Sequence, residues 1–148
     1  MRTETPYLGA ITVHFAVAGN DSAMVPSGGA ATALQTELRA KAPVHSSGLV
    51  TVTAPTGRSI EIDVTLSPDN GTVQGYVTGN LRNVFRYWSG EMDGTGVVYE
   101  DDIRDAIRRG VKQYSQAGTY TLNTIEGAAP ADITLAAGVL PYLGTVTY

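Results

Sequence analysis

Residues 96–111 read GVVYEDDIRDAIRRGV. Glu100, Asp101 and Asp102 stand together where the positive end of a helix dipole favours carboxylates. Ile103, Ala106 and Ile107 follow at i, i+3 and i+4, one face of a helix, and Arg104, Arg108 and Arg109 fill the opposite face. Gly110 then occupies the position at which helices most often stop. The stretch therefore predicts a short amphipathic helix that ends at Gly110, with Val111–Ser115 free to form a short strand. A helix with one apolar face needs a surface to cover, and the rest of the chain must supply it.

The chain has 148 residues, the size of one ordinary domain with a real core. Hydrophobic residues make up 43% and charged ones 16%, a globular balance. Ten basic against 14 acidic residues leave a net charge of −4, which argues against a nucleic-acid partner, whose footprint is a basic surface. The absence of cysteine excludes disulfides, thiolate metal sites and a cysteine nucleophile. No apolar run reaches the ~18–20 residues of a membrane-spanning segment, and no signal-like apolar core is expected at the N-terminus. Seventeen glycines and frequent threonines suit a chain with many turns and strands.

Working outward, Ile11, Val13, Phe15 and Val17 alternate with smaller or polar residues. This predicts a strand over 9–18 with His14 on its polar face. Ser27 caps a helix that runs to Pro43, with Ala30, Ala33, Leu34, Leu38 and Lys41 near one line. Leu49–Ala54 and Arg58–Leu66 predict two strands. In the second, Ile60, Ile62, Val64 and Leu66 face one way, and Ser59, Glu61, Asp63 and Thr65 the other. Pro55 and Gly57 between them fit a type I turn, hence an antiparallel hairpin with one buried face. Ser67-Pro68-Asp69-Asn70 opens a longer helix with the stripe Val73, Val77, Leu81, Val84, Phe85 and Trp88. Gly75 and Gly79 share a face of it, where a neighbour could approach closely. Arg82 and Arg86 beside them exclude a membrane reading of that spacing. Residues 89–96 predict a loop, 119–125 a strand, 127–137 a surface loop and 142–148 a closing strand. The order β-α-β-β-α-α-β-β-β is α+β. It forms one domain over 1–148, or two small subdomains meeting near 89–97.

No residue set declares chemistry, so no catalytic, cofactor or metal residues are expected. Glu100, Asp101, Asp102 and Asp105 read as helix-start acids rather than cation ligands, because the spacing of a calcium loop is absent. Asp69, Glu91 and Asp93 read as turn residues. His14 and His45 lack a second ligand at zinc spacing. Ser46 and Ser47 beside His45 lack the frame of an activated serine. Ser27-Gly28-Gly29 resembles a phosphate cradle without the lysine that a P-loop needs, and reads as a helix start. Glu61 and Asp63 read as solvated residues on a strand face rather than an acid–base pair. Phe85 and Trp88 belong to the apolar stripe, leaving Tyr87 for the surface.

Several segments occur in a telling order: Leu8–Val13, Ala40–Val44, Val50–Pro55, Ser59–Leu66, a helix and glycine-bearing loop, Val98–Ile107, and Leu140–Val146. In that order they resemble the C-terminal portion of the baseplate J-like family of contractile-tailed bacteriophages and related injection systems. The resemblance spans nearly the whole chain. Each segment alone consists of core and turn residues, so the ordered set carries it. It implies a structural wedge component that contacts other baseplate and tail proteins and sits in a ring of six copies, or a multiple of six, around the tail hub. It also implies a place in the virion after synthesis in the host cytoplasm, and no catalytic site. Family members carry a further N-terminal region, so this sequence corresponds to a separately made domain or a truncated member. The rival expectations are a small hydrolase using the acidic stretch Glu91–Asp102 and a carbohydrate- or peptide-binding α+β module.

Overall fold

In a computed structural model the described residues are 10–42, 47–88 and 96–148. The elements are β1 (Ile11–His14), α1 (Gly28–Lys41), β2 (Val50–Thr53), β3 (Thr56–Ser67), α2 (Gly71–Trp88), β4 (Val97–Val98), α3 (Glu100–Tyr114), β5 (Thr119–Ile125), β6 (Ile133–Thr134) and β7 (Val139–Thr147). Short 3-10 turns at Asp21–Met24 and Ser47–Leu49 complete them. The fold is α+β. A three-stranded sheet in the order β5-β3-β7 carries the molecule, and two-stranded sheets β1-β2 and β4-β6 flank it.

β3 is the centre because its alternation is the most regular in the chain. Ile60, Ile62, Val64 and Leu66 are buried, while Ser59, Glu61 and Thr65 face solvent and Asp63 is half-buried. It pairs antiparallel with β5 and parallel with β7. The inward row meets α2 through Val73, Val77, Leu81 and Phe85, and α3 through Ile103, Ala106, Ile107 and Val111. Leu122, Ile125 and Leu143 close this core from the outer strands. Both helices thus cover one face of the sheet, and the other face presents threonines and acids to water.

The expected hairpin of residues 49–66 is overturned. β2 pairs parallel with β1, in the register Ile11↔Val50 to His14↔Thr53. A strand has two edges, and both edges of β3 are taken by β5 and β7. The second edge of β2 is closed by α1: the Val52 N–H donates to Gln35 Oε1 at 2.9 Å, and Arg39 Nε donates to the Val50 carbonyl at 3.0 Å. Ala54-Pro55 is therefore a corner between two sheets, and the Thr56 N–H donates to the Gly138 carbonyl at 2.9 Å.

Other expectations shift for equally local reasons. β1 is shorter than 9–18, with Ile11 and Val17 exposed and His14 half-buried rather than on a solvated face. α1 starts as expected, the Ser27 Oγ accepting from the Ala30 N–H at 3.3 Å. Its inner line is Ala31, Leu34, Gln35 and Leu38, turned from the expected one, and Lys41 is exposed. α2 is capped by Asn70, whose Oδ1 accepts from the Thr72 and Val73 N–H groups at 3.1 and 3.2 Å. Residues 127–137 are not wholly a surface loop. Ile133 and Leu135 are buried, and β6 pairs antiparallel with β4. β7 is longer than 142–148 and takes Pro141 into an edge strand, where a missing N–H is tolerated. The expected loop over 89–96, and with it most of the boundary placed near 89–97, lies outside the described residues. So do Leu8, Gly9, Pro43 and Val44, and the side chains of Tyr87 and Trp88.

α3 does not stop at Gly110. It runs to Tyr114, so residues 111–114 are helical and the expected strand is absent. Gly110 is buried where α3 crosses α2. A Cβ built on it would lie 2.7 Å from both the Cα and the N of Val77 and 2.9 Å from the Tyr76 carbonyl carbon. The glycine lets two backbones touch. The close approach expected at Gly75 and Gly79 is not there: a Cβ at either would meet nothing within 4 Å.

Candidate functional site

Two of the acids of α3, Glu100 and Asp105, are used within the fold. Glu100 pairs with Arg104 and Asp105 with Arg108, one helical turn apart. The Glu100 N–H donates to Asp132 Oδ1 at 2.9 Å. This helix start is thus capped by a side chain 32 positions further on, which no local pattern could reveal. Asp101 and Asp102 face solvent. Asp69 accepts from Gln74 Nε2 at 2.8 Å, a local contact at the start of α2. Among the described residues no three His, Cys, Asp or Glu side chains come together as a metal would require. Glu91, Asp93, His45, Ser46 and the Ser47 side chain lie outside the described residues. Gly28 and Gly29 lie in open space at the head of α1, beside the Ser27 cap.

Glu61 and Asp63 share the outer face of β3 and line a shallow depression of about 290 Å³ with Thr124, Thr145 and Thr147. Asp63 Oδ1 accepts from Asn123 Nδ2 at 2.9 Å, and the same amide donates to Thr65 Oγ1 at 3.0 Å. Beside it, Arg58 grips Glu126 through two parallel bonds of 3.0 and 2.7 Å. Glu126 has φ of 52° and Gly127 of 74°, and they form the tip of a tight hairpin closed by Ile125 and Ala128. The left-handed φ at both tip positions is what a two-residue hairpin requires.

A larger depression, about 490 Å³, runs along the outer face of α2 between Gly75 and Arg86 and is walled by Tyr76, Asn80, Asn83 and Gln113. The bare glycines make its floor flat, and its rim is almost entirely amide and guanidinium. At one end Arg82 binds Asp21 through Nη2 at 2.8 Å and Nε at 3.1 and 3.2 Å, and Arg86 donates to Asn20. The hydrogen bond to Asp21 raises the pKa of the Arg82 guanidinium, so it stays charged at any pH of interest. Tyr148 is not part of this lining and docks elsewhere on α2. Its hydroxyl donates to the Gln74 carbonyl at 3.0 Å, so the contact to Thr78 Oγ1 at 2.5 Å takes its proton from Thr78. Burial raises the pKa of this phenol above the ordinary tyrosine value.

Sequence reading missed this surface because it placed Gly75 and Gly79 in a packed contact; the available signal was the run of amides interleaved with them. The surface offers hydrogen-bond donors and acceptors in a shallow array. No helix of the described residues is long and apolar enough to cross a membrane. Against models of known protein families the chain gives no match, and a search of curated proteins gives no significant one.

Proposed function

We propose that this chain is a structural component of a contractile-tail baseplate, a wedge domain. It acts by protein–protein contact within a ring of six copies, or a multiple of six, around the tail hub. One observation carries the reading: the ordered series of segments that resembles the baseplate J-like family. Those segments that fall on described residues occupy β1, the end of α1, β2, β3, the β4–α3 unit and β7 in turn. The segments Ser59–Leu66 and Leu140–Val146, far apart in the chain, lie side by side as β3 and β7. An amide-lined depression with a flat floor suits a chain that works by contact. Its partners are other baseplate and tail proteins, its place is the virion, and it carries out no reaction.

The test is electron microscopy of the intact tail, with this chain located by fitting and by an epitope tag. Density for the chain in the ring around the hub is the expected result. Tails that assemble and contract normally without this chain would overturn the proposal.

A further inference from the structure

The molecule divides at Ala54-Pro55. Every member of the continuous core, from Ile60 to Leu143, lies after that corner, as do the half-buried residues packed against it. The described residues before the corner bury a small set of their own, Met24, Ala31, Val50 and Val52, which is not part of that core. Their pairing is internal too. β1 pairs with β2, and α1 lies on β2 through Gln35 and Arg39. All three strands of the central sheet come after the corner. The described residues of 10–53 thus form a lobe, and those of 56–148 a body.

Lobe and body meet chiefly through one short stretch. The 3-10 turn Asp21–Met24 lies against β7. Val25 stands over the backbone of Gly57, where a built Cβ would lie 2.7 Å from Val25 Cγ2. Asp21 takes three contacts from Arg82 on α2, at 2.8, 3.1 and 3.2 Å, and Asn20 accepts from Arg86 one turn further along the helix.

We propose that the lobe unfolds as a unit while the body stays folded, and that the turn carrying Asn20 and Asp21 is the latch that holds it down. A two-stranded sheet is marginal by itself. The buried set of the lobe is one methionine, two valines and an alanine, little apolar surface to offset the ordering of its backbone. Regions with few buried apolar contacts open at lower free energy than a core. The body loses no member of its core when the lobe leaves, and both edges of β3 stay paired. The opened state also presents a different surface. Asn20 lines the depression on α2, and Asp21 holds Arg82 beside it. Release therefore takes away that part of the lining and frees the Arg82 guanidinium from its carboxylate. The inference does not depend on the baseplate reading, and either can fail alone.

Native-state hydrogen exchange on the whole chain, read amide by amide, tests it. In the wild type the slowest amides of α1 and β2 should share one level of protection, at least about tenfold below that of the slowest amides of β3, α2 and α3. Two variants separate the openings. Ile107→Val trims a fully buried side chain of the body, whose packing survives when the lobe alone opens. It should speed the slowest body amides about two- to tenfold and leave the lobe amides unchanged. Arg82→Ala deletes a contact that is broken in either opening. It should speed the slowest amides of both parts alike, by about two- to fivefold. A single protection level across lobe and body in the wild type would overturn the proposal. So would lobe amides that follow the body in Ile107→Val, or lobe amides indifferent to Arg82→Ala.

Discussion

Gly110 shows how one residue type can serve two ends that look alike in sequence. Near the end of an amphipathic helix a glycine suggests a stop. Here it is a contact point, with the Val77 backbone 2.7 Å from where its Cβ would be. Gly110→Ala is expected to destabilise the fold by about 1–3 kcal/mol, the usual cost of overpacking. It should do so although alanine is the better helix former by roughly 1 kcal/mol. Gly75→Ala and Gly79→Ala meet nothing within 4 Å, and each is expected to stabilise by up to about 1 kcal/mol. Urea midpoints of the three variants check this, and equal shifts at Gly110 and Gly75 would show that the helices do not touch at Gly110. The sequence distinguishes these glycines poorly, because their difference lies in what another helix places opposite them. Residues answering to their own neighbours were legible: Ser27 as a cap, and Ile60, Ile62, Val64 and Leu66 as an inward row.

At the scale of elements, α3 keeps the face read from its spacing. Ile103, Ala106 and Ile107 are fully buried, and Arg108 is exposed and paired with Asp105. Ile107→Ala is expected to cost about 2–5 kcal/mol. Arg108→Ala should cost less than about 0.5 kcal/mol, because an exposed ion pair contributes little. Denaturant melts that gave the two the same midpoint would reverse the assigned face. Elements whose partners lie far along the chain were less legible. A turn with Pro55 and Gly57 is compatible with a hairpin or with a corner between sheets, and the choice is made by β5 and β7 claiming both edges of β3. β6 is two residues long and exists because β4 pairs with it. The amide-lined face of α2 was hidden in the same way. Its residues were visible, but that no described element covers them is a fact of the tertiary arrangement.

At the scale of the molecule, Tyr148 ties the end of β7 to α2. Its pKa is raised by burial, so the fold favours the neutral phenol. That contribution is complete below the ordinary tyrosine pKa of about 10 and is lost as pH rises through the higher folded value. Tyr148→Phe is expected to cost about 1 kcal/mol near neutral pH, the net worth of a hydrogen bond. It should also flatten the fall in stability above about pH 10. Stability curves of the two proteins measured from pH 8 to pH 11 that stay parallel would remove Tyr148 from that fall. A second expectation concerns the acids of α3, of which Glu100 and Asp105 are held by arginines. Millimolar calcium or magnesium should leave the melting temperature unchanged, since a ligand specific to the folded state must raise it. A saturable rise would point to a cation site involving these acids.

The parallel pairing of β3 with β7 also bears on how the chain is made. β3 spans Thr56–Ser67, and its neighbour β7 spans Val139–Thr147, so the central strand waits for a partner that leaves the ribosome much later. Until then the apolar row of Ile60, Ile62, Val64 and Leu66 is flanked on one side only, by a β5 that itself emerges late. Contacts this distant in sequence close slowly, and the half-built sheet is the period of greatest exposure to proteases and to self-association. A nascent chain stalled with residue 138 as the last one outside the exit tunnel should be digested readily. One stalled so that Tyr148 has cleared the tunnel should resist.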